Sequence, residues 1–325
     1  MALSSNISGD VGKLRQNAEP IRLPPSAMER DERRFMMICI MPVVIFLAIV
    51  SLIPVVIALI DSLRQMSLTA IFDYGRFLGL ENYRHALSLK SPFFHSLGLT
   101  AMFVIIVVPL EFVLGLAIAV LLNREFRGRR FWVTILLIPT MIAPVVVGMI
   151  WRFMLMPSFG FLTYYMGQLG LFNDVPLFSN GITAFVALML VDVWEWTPFM
   201  MLFMLAGLFA IPQDPIEAAY IDGATRWQIF RHVQLPLLRP MIILSLLFRT
   251  IDASKTFDIV HVLTEGGPGK ATELMSVFAF RTSFVSWDLG IGAAVCLVIA
   301  FFSLLIASVF YKIVSRETAA EEGRG

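Results

Sequence analysis

Six apolar runs, at residues 35–60, 97–122, 131–150, 182–211, 240–263 and 289–311, divide the chain into alternating oily and polar segments. A bilayer core about 30 Å thick is crossed by about 20 residues of helix, so each run is long enough to span. The pattern predicts an all-α membrane protein with six transmembrane helices. The first, third and sixth runs carry no charge, whereas the second holds Glu111, the fourth Asp192 and Glu195, and the fifth Arg249, Asp252, Lys255 and Asp258. Ionisable groups inside a span are costly enough to mark function or pairing.

The polar segments set the orientation. If the amino terminus is cytoplasmic, the segments on that side carry sixteen Lys and Arg residues against six on the other. Cytoplasmic loops are the ones enriched in basic residues, so both termini are expected in the cytoplasm. The chain then divides into a mostly disordered tail at 1–34, with a helical tendency near "MERDERR", a first transmembrane helix at 35–62 and an extracytoplasmic loop at 63–96. A transmembrane core at 97–312 follows, with a cytoplasmic loop at 212–239 inside it, and a second tail at 313–325. The first apolar run is too long for the core of a signal peptide and has no small-residue cleavage site after it.

Composition agrees with this reading: 58% of residues are hydrophobic and 15% charged, against about a quarter charged in soluble domains. The formal net charge of +1, without a basic stripe, argues against nucleic acid as a partner. Cys39 and Cys296 lie far apart in separate apolar runs and read as packing residues. The four histidines have no metal-ligand spacing. "GGPGKAT" at 266–272 lacks the first glycine of a phosphate-binding loop and has alanine after the lysine, so it does not bind nucleotide.

The loop at 212–239 is more polar than its surroundings and built like a pair of short helices. "DPIE" at 214–217 offers Asp214 as N-cap, Pro215 at the first helical position and Glu217 three residues on. Gly223 can end that helix in a left-handed conformation. "TRWQ" at 225–228 is a second capping box. Trp227, Phe230, Val233 and Leu237 are expected to form the apolar stripe of the second helix, and Leu235, Pro236 and Pro240 to mark its handover to the fifth span.

Within this loop stand Glu217, Ala218, Ala219, Asp222, Gly223, Val233, Leu235 and Pro236. Their pattern resembles the coupling loop of permease subunits in binding-protein-dependent, ATP-driven importers. The "LGLAIAVLLNREFRGRRFW", "DVWEWTPFMMLFMLAGLFAIP" and "LTEGGPGKATE" segments are similar to the sugar-permease branch of that family, which includes maltose and glycerol-phosphate importers. The resemblance covers nearly all of the chain from the first span onward. It implies a type I ABC importer permease fold in the inner membrane and transport of a sugar or sugar derivative. The implied partners are a second, similar permease, two copies of a cytoplasmic ATPase that hold ATP and Mg, and an extracytoplasmic solute-binding protein. This chain itself is expected to hold no cofactor and to catalyse no reaction. In the family the glutamate of the coupling loop meets a basic residue of the ATPase, a role that falls here to Glu217.

The same resemblance places sugar contacts on Trp194, Glu195, Trp196 and Phe199 in the fourth run and on Arg249, Ala253 and Thr256 in the fifth. The last three fall at i, i+4 and i+7, one face of a helix. Arg249 and Ala253 stand where the maltose-type protein has small polar residues, which leaves an anionic substrate open. Arg249, Asp252, Lys255 and Asp258 recur every third residue with alternating sign. They admit two readings: a self-neutralising ladder on one helix, or an Arg249 that reaches the path and binds an anion. A proton-coupled secondary transporter, with Glu111, Asp192, Glu195 or Asp258 as carriers, is the competing function. It leaves the coupling motif unexplained.

Overall fold

The structure, a computed structural model, describes residues 27–67, 69, 75–170 and 177–322. The first 26 residues, most of the predicted amino-terminal tail, lie outside the described residues. The chain divides into two units, Met1–Ile57 and Ala58–Gly325.

The first unit is the greater part of α1 (Ala27–Ser62). From Met37 to Ile57 its large apolar side chains are exposed around the whole circumference. A helix oily on every face is built for lipid or for another protein surface. It begins eight residues before the predicted span.

The second unit is helical throughout, with only two isolated β-bridges among the described residues. Its elements are α2 (Glu81–Ala86), α3 (Phe93–Leu122), α4 (Arg129–Met141), α5 (Pro144–Met154), α6 (Phe161–Gln168) and α7 (Gly181–Ala210). They continue with α8 (Asp214–Ile221), α9 (Arg226–Ile229), α10 (Leu235–Leu237), α11 (Arg239–Ser254), α12 (Asp258–Leu263), α13 (Met275–Phe280) and α14 (Leu289–Glu322). Helices α1, α3, α7 and α14 are each long and apolar enough to cross a membrane.

The other two predicted spans are broken. The run at 131–150 is two helices, α4 and α5, that meet at 92°. Ile142 and Ala143 are extended between them (ψ 139° and 135°). The cause is local: Pro144 pushes Ala143 out of the helical region and then opens α5 at its first position. The run at 240–263 ends as a helix at Ser254 and restarts at Asp258. The hydroxyl of Ser276 donates to the Thr256 carbonyl oxygen, which the break leaves without a helical partner. The two short pieces α5 and α12 pack on each other, with Arg152 donating to the Val262 carbonyl (2.8 Å) and pairing with Glu265 (3.0 Å).

The core is built on α3 and α7, the most extensively packed pair. Close approach is made possible by Gly115, where a β-carbon would stand 2.6 Å from the Met200 β-carbon and 2.7 Å from the Met201 nitrogen. The second obstacle is backbone and cannot move aside. Gly115→Ala is therefore expected to cost about 1–3 kcal/mol through overpacking, read as a lower thermal midpoint of the purified protein. Cys39 and Cys296 are both exposed rather than packed inside.

Candidate functional site

The polar loop forms two helical segments joined by a left-handed glycine. Helix α8 is capped less well than its sequence suggests: Asp214 is already helical, Gln213 is the N-cap, and no side chain closes it. Gly223 ends the turn at φ 78°. The second capping box is complete. Thr225 Oγ1 accepts from the Gln228 backbone N–H at 3.4 Å, and the Gln228 side chain accepts from the Thr225 N–H at 2.8 Å.

After α9 the helix widens into a π turn at Phe230–Gln234. The extra residue rotates the face that follows it, and of the predicted stripe of Trp227, Phe230, Val233 and Leu237 only Phe230 and Val233 are half-buried. Ile229 and Leu238 are buried instead, and Trp227 and Leu237 stay exposed. Trp227 and Phe230, with ring centroids 5.6 Å apart, help line an open groove of about 1050 Å³ against the end of α3.

Glu217, Ala218, Asp222 and Gly223 are exposed and Ala219 half-buried. Among the described residues Glu217 has no ion-pair partner. Leu235 and Pro236 lie in α10, and the chain then bends by 64° into α11. At the bend Leu238 is fully buried against Gly207 of α7, where a β-carbon would come within 2.7 Å of Leu238 Cδ2. The exposed wedge is thus seated on α7 through Leu238.

The spans hold a second constellation. Arg249 on α11 is fully buried and makes four hydrogen bonds to carboxylates. Its Nε and one terminal nitrogen grip Glu111 of α3 in a fork at 2.6 and 2.9 Å. The same terminal nitrogen donates to Asp192 of α7, and the other donates to Asp252 at 3.2 Å. Three helices are therefore tied at one guanidinium, with Glu111 and Asp192 fully buried and Asp252 partly open. A planar fork suits bidentate carboxylates in a way lysine does not.

The ladder reading fails beyond Asp252. Lys255 caps the end of α11, Asp258 starts the next helix, and both are exposed. The same break removes the shared face of Arg249, Ala253 and Thr256: Ala253 is packed in the apolar core, and Thr256 lies past the helix end.

In α7, Trp196 and Phe199 are half-buried and edge-to-face, with Arg249 5.0 Å from the Trp196 ring centroid. Phe203 and Phe248 extend this aromatic row, at 4.7 Å from Phe199 and 6.3 Å from Phe203 respectively. Neither was picked out from sequence, although Phe203 falls seven residues after Trp196 on one face. Trp194 points elsewhere and packs on Trp151 of α5 at 5.5 Å. Glu195 is buried, with one carboxylate oxygen lacking a hydrogen-bond partner among the described residues.

Residues 111–319 match the family model described as binding-protein-dependent transport system inner membrane component. The chain belongs to this family. It is a multi-pass membrane permease component, and ATP hydrolysis resides in a separate subunit of such systems. Among relatives of this permease, the trehalose/maltose transport system permease protein MalF of Thermococcus litoralis is 41% identical over 73% of this chain and 79% of its own length. The sn-glycerol-3-phosphate transport system permease protein UgpA of Agrobacterium fabrum is 33% identical over 74% of this chain and 82% of its own. The solved bacterial importer of the acidic polysaccharide alginate superposes with a TM-score of 0.75 at 19% identity, over 90% of this chain and 99% of that one. The last likeness concerns the fold alone.

Proposed function

We propose that this permease is one of two similar membrane subunits of a carbohydrate importer in the bacterial inner membrane. Its partners are two copies of a cytoplasmic ATPase, which hold ATP and Mg, and an extracytoplasmic solute-binding protein. The wedge built on Glu217, Ala218, Ala219, Asp222 and Gly223 carries this reading. It is exposed, charged and anchored at its base by Leu238, as a part that docks on another protein and transmits force must be. When the ATPases close, the wedge moves and draws α11 and α7 with it, a two-state change biased by nucleotide.

The substrate path runs along the aromatic row of Trp196 and Phe199, continued by Phe203 and Phe248. Aromatic faces suit the apolar faces of a sugar ring, while the partly open Asp252 accepts from hydroxyls. Arg249 is committed to three protein carboxylates, which favours a neutral, polyhydroxylated substrate over an anion. Relatives named for trehalose/maltose and for glycerol-3-phosphate bracket these two possibilities.

Uptake in proteoliposomes that contain the assembled system tests the proposal. Accumulation is expected to require internal ATP and the binding protein, to ignore a proton uncoupler, and to be competed by neutral oligosaccharides before sugar phosphates. Uptake that proceeds without the ATPase and collapses with the proton gradient sinks it, and moves the mechanism to Glu111, Asp192, Glu195 and Asp258.

A further inference from the structure

The groove between α3 and the wedge combines two surfaces that neither the transport path nor the coupling motif uses. One wall of this open space of about 1050 Å³ is the last part of α3, from Val113 to Leu121. The other is Tyr220, Trp227 and Phe230 of the wedge. Arg124, Glu125 and Arg226 form its charged lining.

The α3 wall belongs to the span Phe93–Leu122 and rises about 12 Å from Leu121 to Val113, most of one leaflet of a hydrocarbon core about 30 Å thick. Every side chain in that stretch is aliphatic or absent, with no hydroxyl, amide or charge. It therefore offers a sugar nothing to bond, and it lies inside the span, out of reach of a water-soluble ATPase. An acyl chain is what such a wall fits.

The rim has the opposite character. Arg124, Glu125 and Arg226 are exposed, and none of them makes an ion pair among the described residues. Residues 123–130 hold four arginines against the one glutamate, so the rim stays positive even if Glu125 pairs with one of them. The acidic residues of the wedge, Glu217 and Asp222, do not line the groove. The loop is tied to the fold, because the Arg129 guanidinium lies 4.3 Å from the ring centroid of Phe209 near the end of α7. Trp227, next to Arg226, and Tyr220 are both exposed, as aromatic residues at headgroup level are.

We propose that this groove seats one anionic phospholipid of the cytoplasmic leaflet, whatever solute the permease carries. Its phosphate lies against Arg124 and Arg226, whose planar guanidinium groups match phosphate oxygens in pairs. One acyl chain runs along α3 from Leu121 toward Val113. Basic pockets among spans on the cytoplasmic side are suited to anionic headgroups, and the basic-residue count puts this rim on that side. A free phosphate ion would use the rim alone and leave the aliphatic wall uncovered. Seated here, the lipid touches both a span and the second helix of the wedge.

The test uses the assembled transporter, extracted with its subunits in mild detergent, titrated with phosphatidylglycerol or phosphatidylcholine of the same acyl chains and read by native mass spectrometry. The wild type is expected to bind phosphatidylglycerol about tenfold more tightly than phosphatidylcholine. Arg124→Gln and Arg226→Gln should each weaken that binding about fivefold, and together roughly twentyfold, with phosphatidylcholine unchanged. Neither change orphans a carboxylate among the described residues, so the complex is expected to stay intact. Ala117→Trp, which fills the aliphatic wall without touching a charge, should weaken both lipids, and Arg127→Gln, in the same loop but outside the groove, should weaken neither. Equal binding of the two lipids by the wild type, or a loss in Arg127→Gln as large as that in Arg124→Gln, shows diffuse attraction to a basic surface and overturns the proposal. Unchanged binding in Ala117→Trp, or displacement of the lipid by inorganic phosphate, overturns it in favour of a small-anion site. Arginine variants that shed a protein subunit while keeping the lipid make the groove a protein interface and overturn it as well.

Discussion

Gly223→Val is expected to lower ATP-driven uptake at least tenfold while the transporter still assembles. Gly223 stands at φ 78°, where a β-branched residue is a steric outlier, and no atom lies within 4 Å of where its β-carbon would be. The substitution therefore meets no clash within this chain, and its whole internal cost is backbone conformation, about 1–2 kcal/mol. That is enough to reset the angle between α8 and α9 without unfolding the spans. Gly223→Asn separates two causes, because asparagine tolerates the left-handed region. If Asn restores uptake, the angle of the wedge is what couples. If Asn fails as badly as Val, the open space beside Gly223 is filled by the ATPase in the assembled complex. Full activity of the Val variant would show that the wedge is only a connector. Glu217→Lys supplies the electrostatic counterpart: with no ion-pair partner among the described residues to lose, its effect on ATPase activity reports the interface and not the fold.

What was legible in the sequence was the part governed by local chemistry. Long apolar runs announced α1, α3, α7 and α14, and "TRWQ" announced a capping box that the structure completes at Thr225 and Gln228. The bend in the third run was also written there, since the residue before Pro144 is forced out of the helix, but an apolar run masks its own interruption when only hydropathy is counted. The break after Ser254 is different. No proline or glycine marks it, and it is held by a tertiary contact from Ser276 that no local pattern foretells. The π turn at Phe230–Gln234 similarly shifts the face that follows it by one residue without a breaker in the sequence, and past it Leu238, not Leu237, is buried.

The charged residues teach the same lesson about distance. One of the two readings of the ladder pairs Arg249 with Asp252 along one helix, and they do pair, but the stronger grip on Arg249 comes from Glu111 and Asp192, 138 and 57 residues away in sequence. Their type and their place in three separate runs were visible; their convergence was not. The path residues divide likewise: Trp196 and Phe199 fall on one face of α7 with Phe203, whereas Trp194, two residues before, is turned to Trp151 by the helical period.

Arg249→Leu is expected to be the most damaging single substitution in the spans. It leaves Glu111 and Asp192 fully buried beside no countercharge, a loss of about 3–5 kcal/mol for a broken buried pair. The purified complex should show a large fall in thermal midpoint or fail to assemble. That result alone does not distinguish a structural guanidinium from a substrate ligand; the compensated variant does. Replacing a whole buried ion cluster by neutral groups is often close to neutral in stability, and Arg249→Leu with Glu111→Gln and Asp192→Asn should therefore recover much of the midpoint. If uptake recovers with it, Arg249 serves to tie α3, α7 and α11 into one body that follows the wedge. If the fold returns and uptake does not, with competition by anionic sugars lost at the same time, Arg249 meets the substrate directly. The occupied donors of the guanidinium lead us to expect the first outcome, because a residue holding three helices together cannot release them for each passing solute without loosening the body that the ATPases must move.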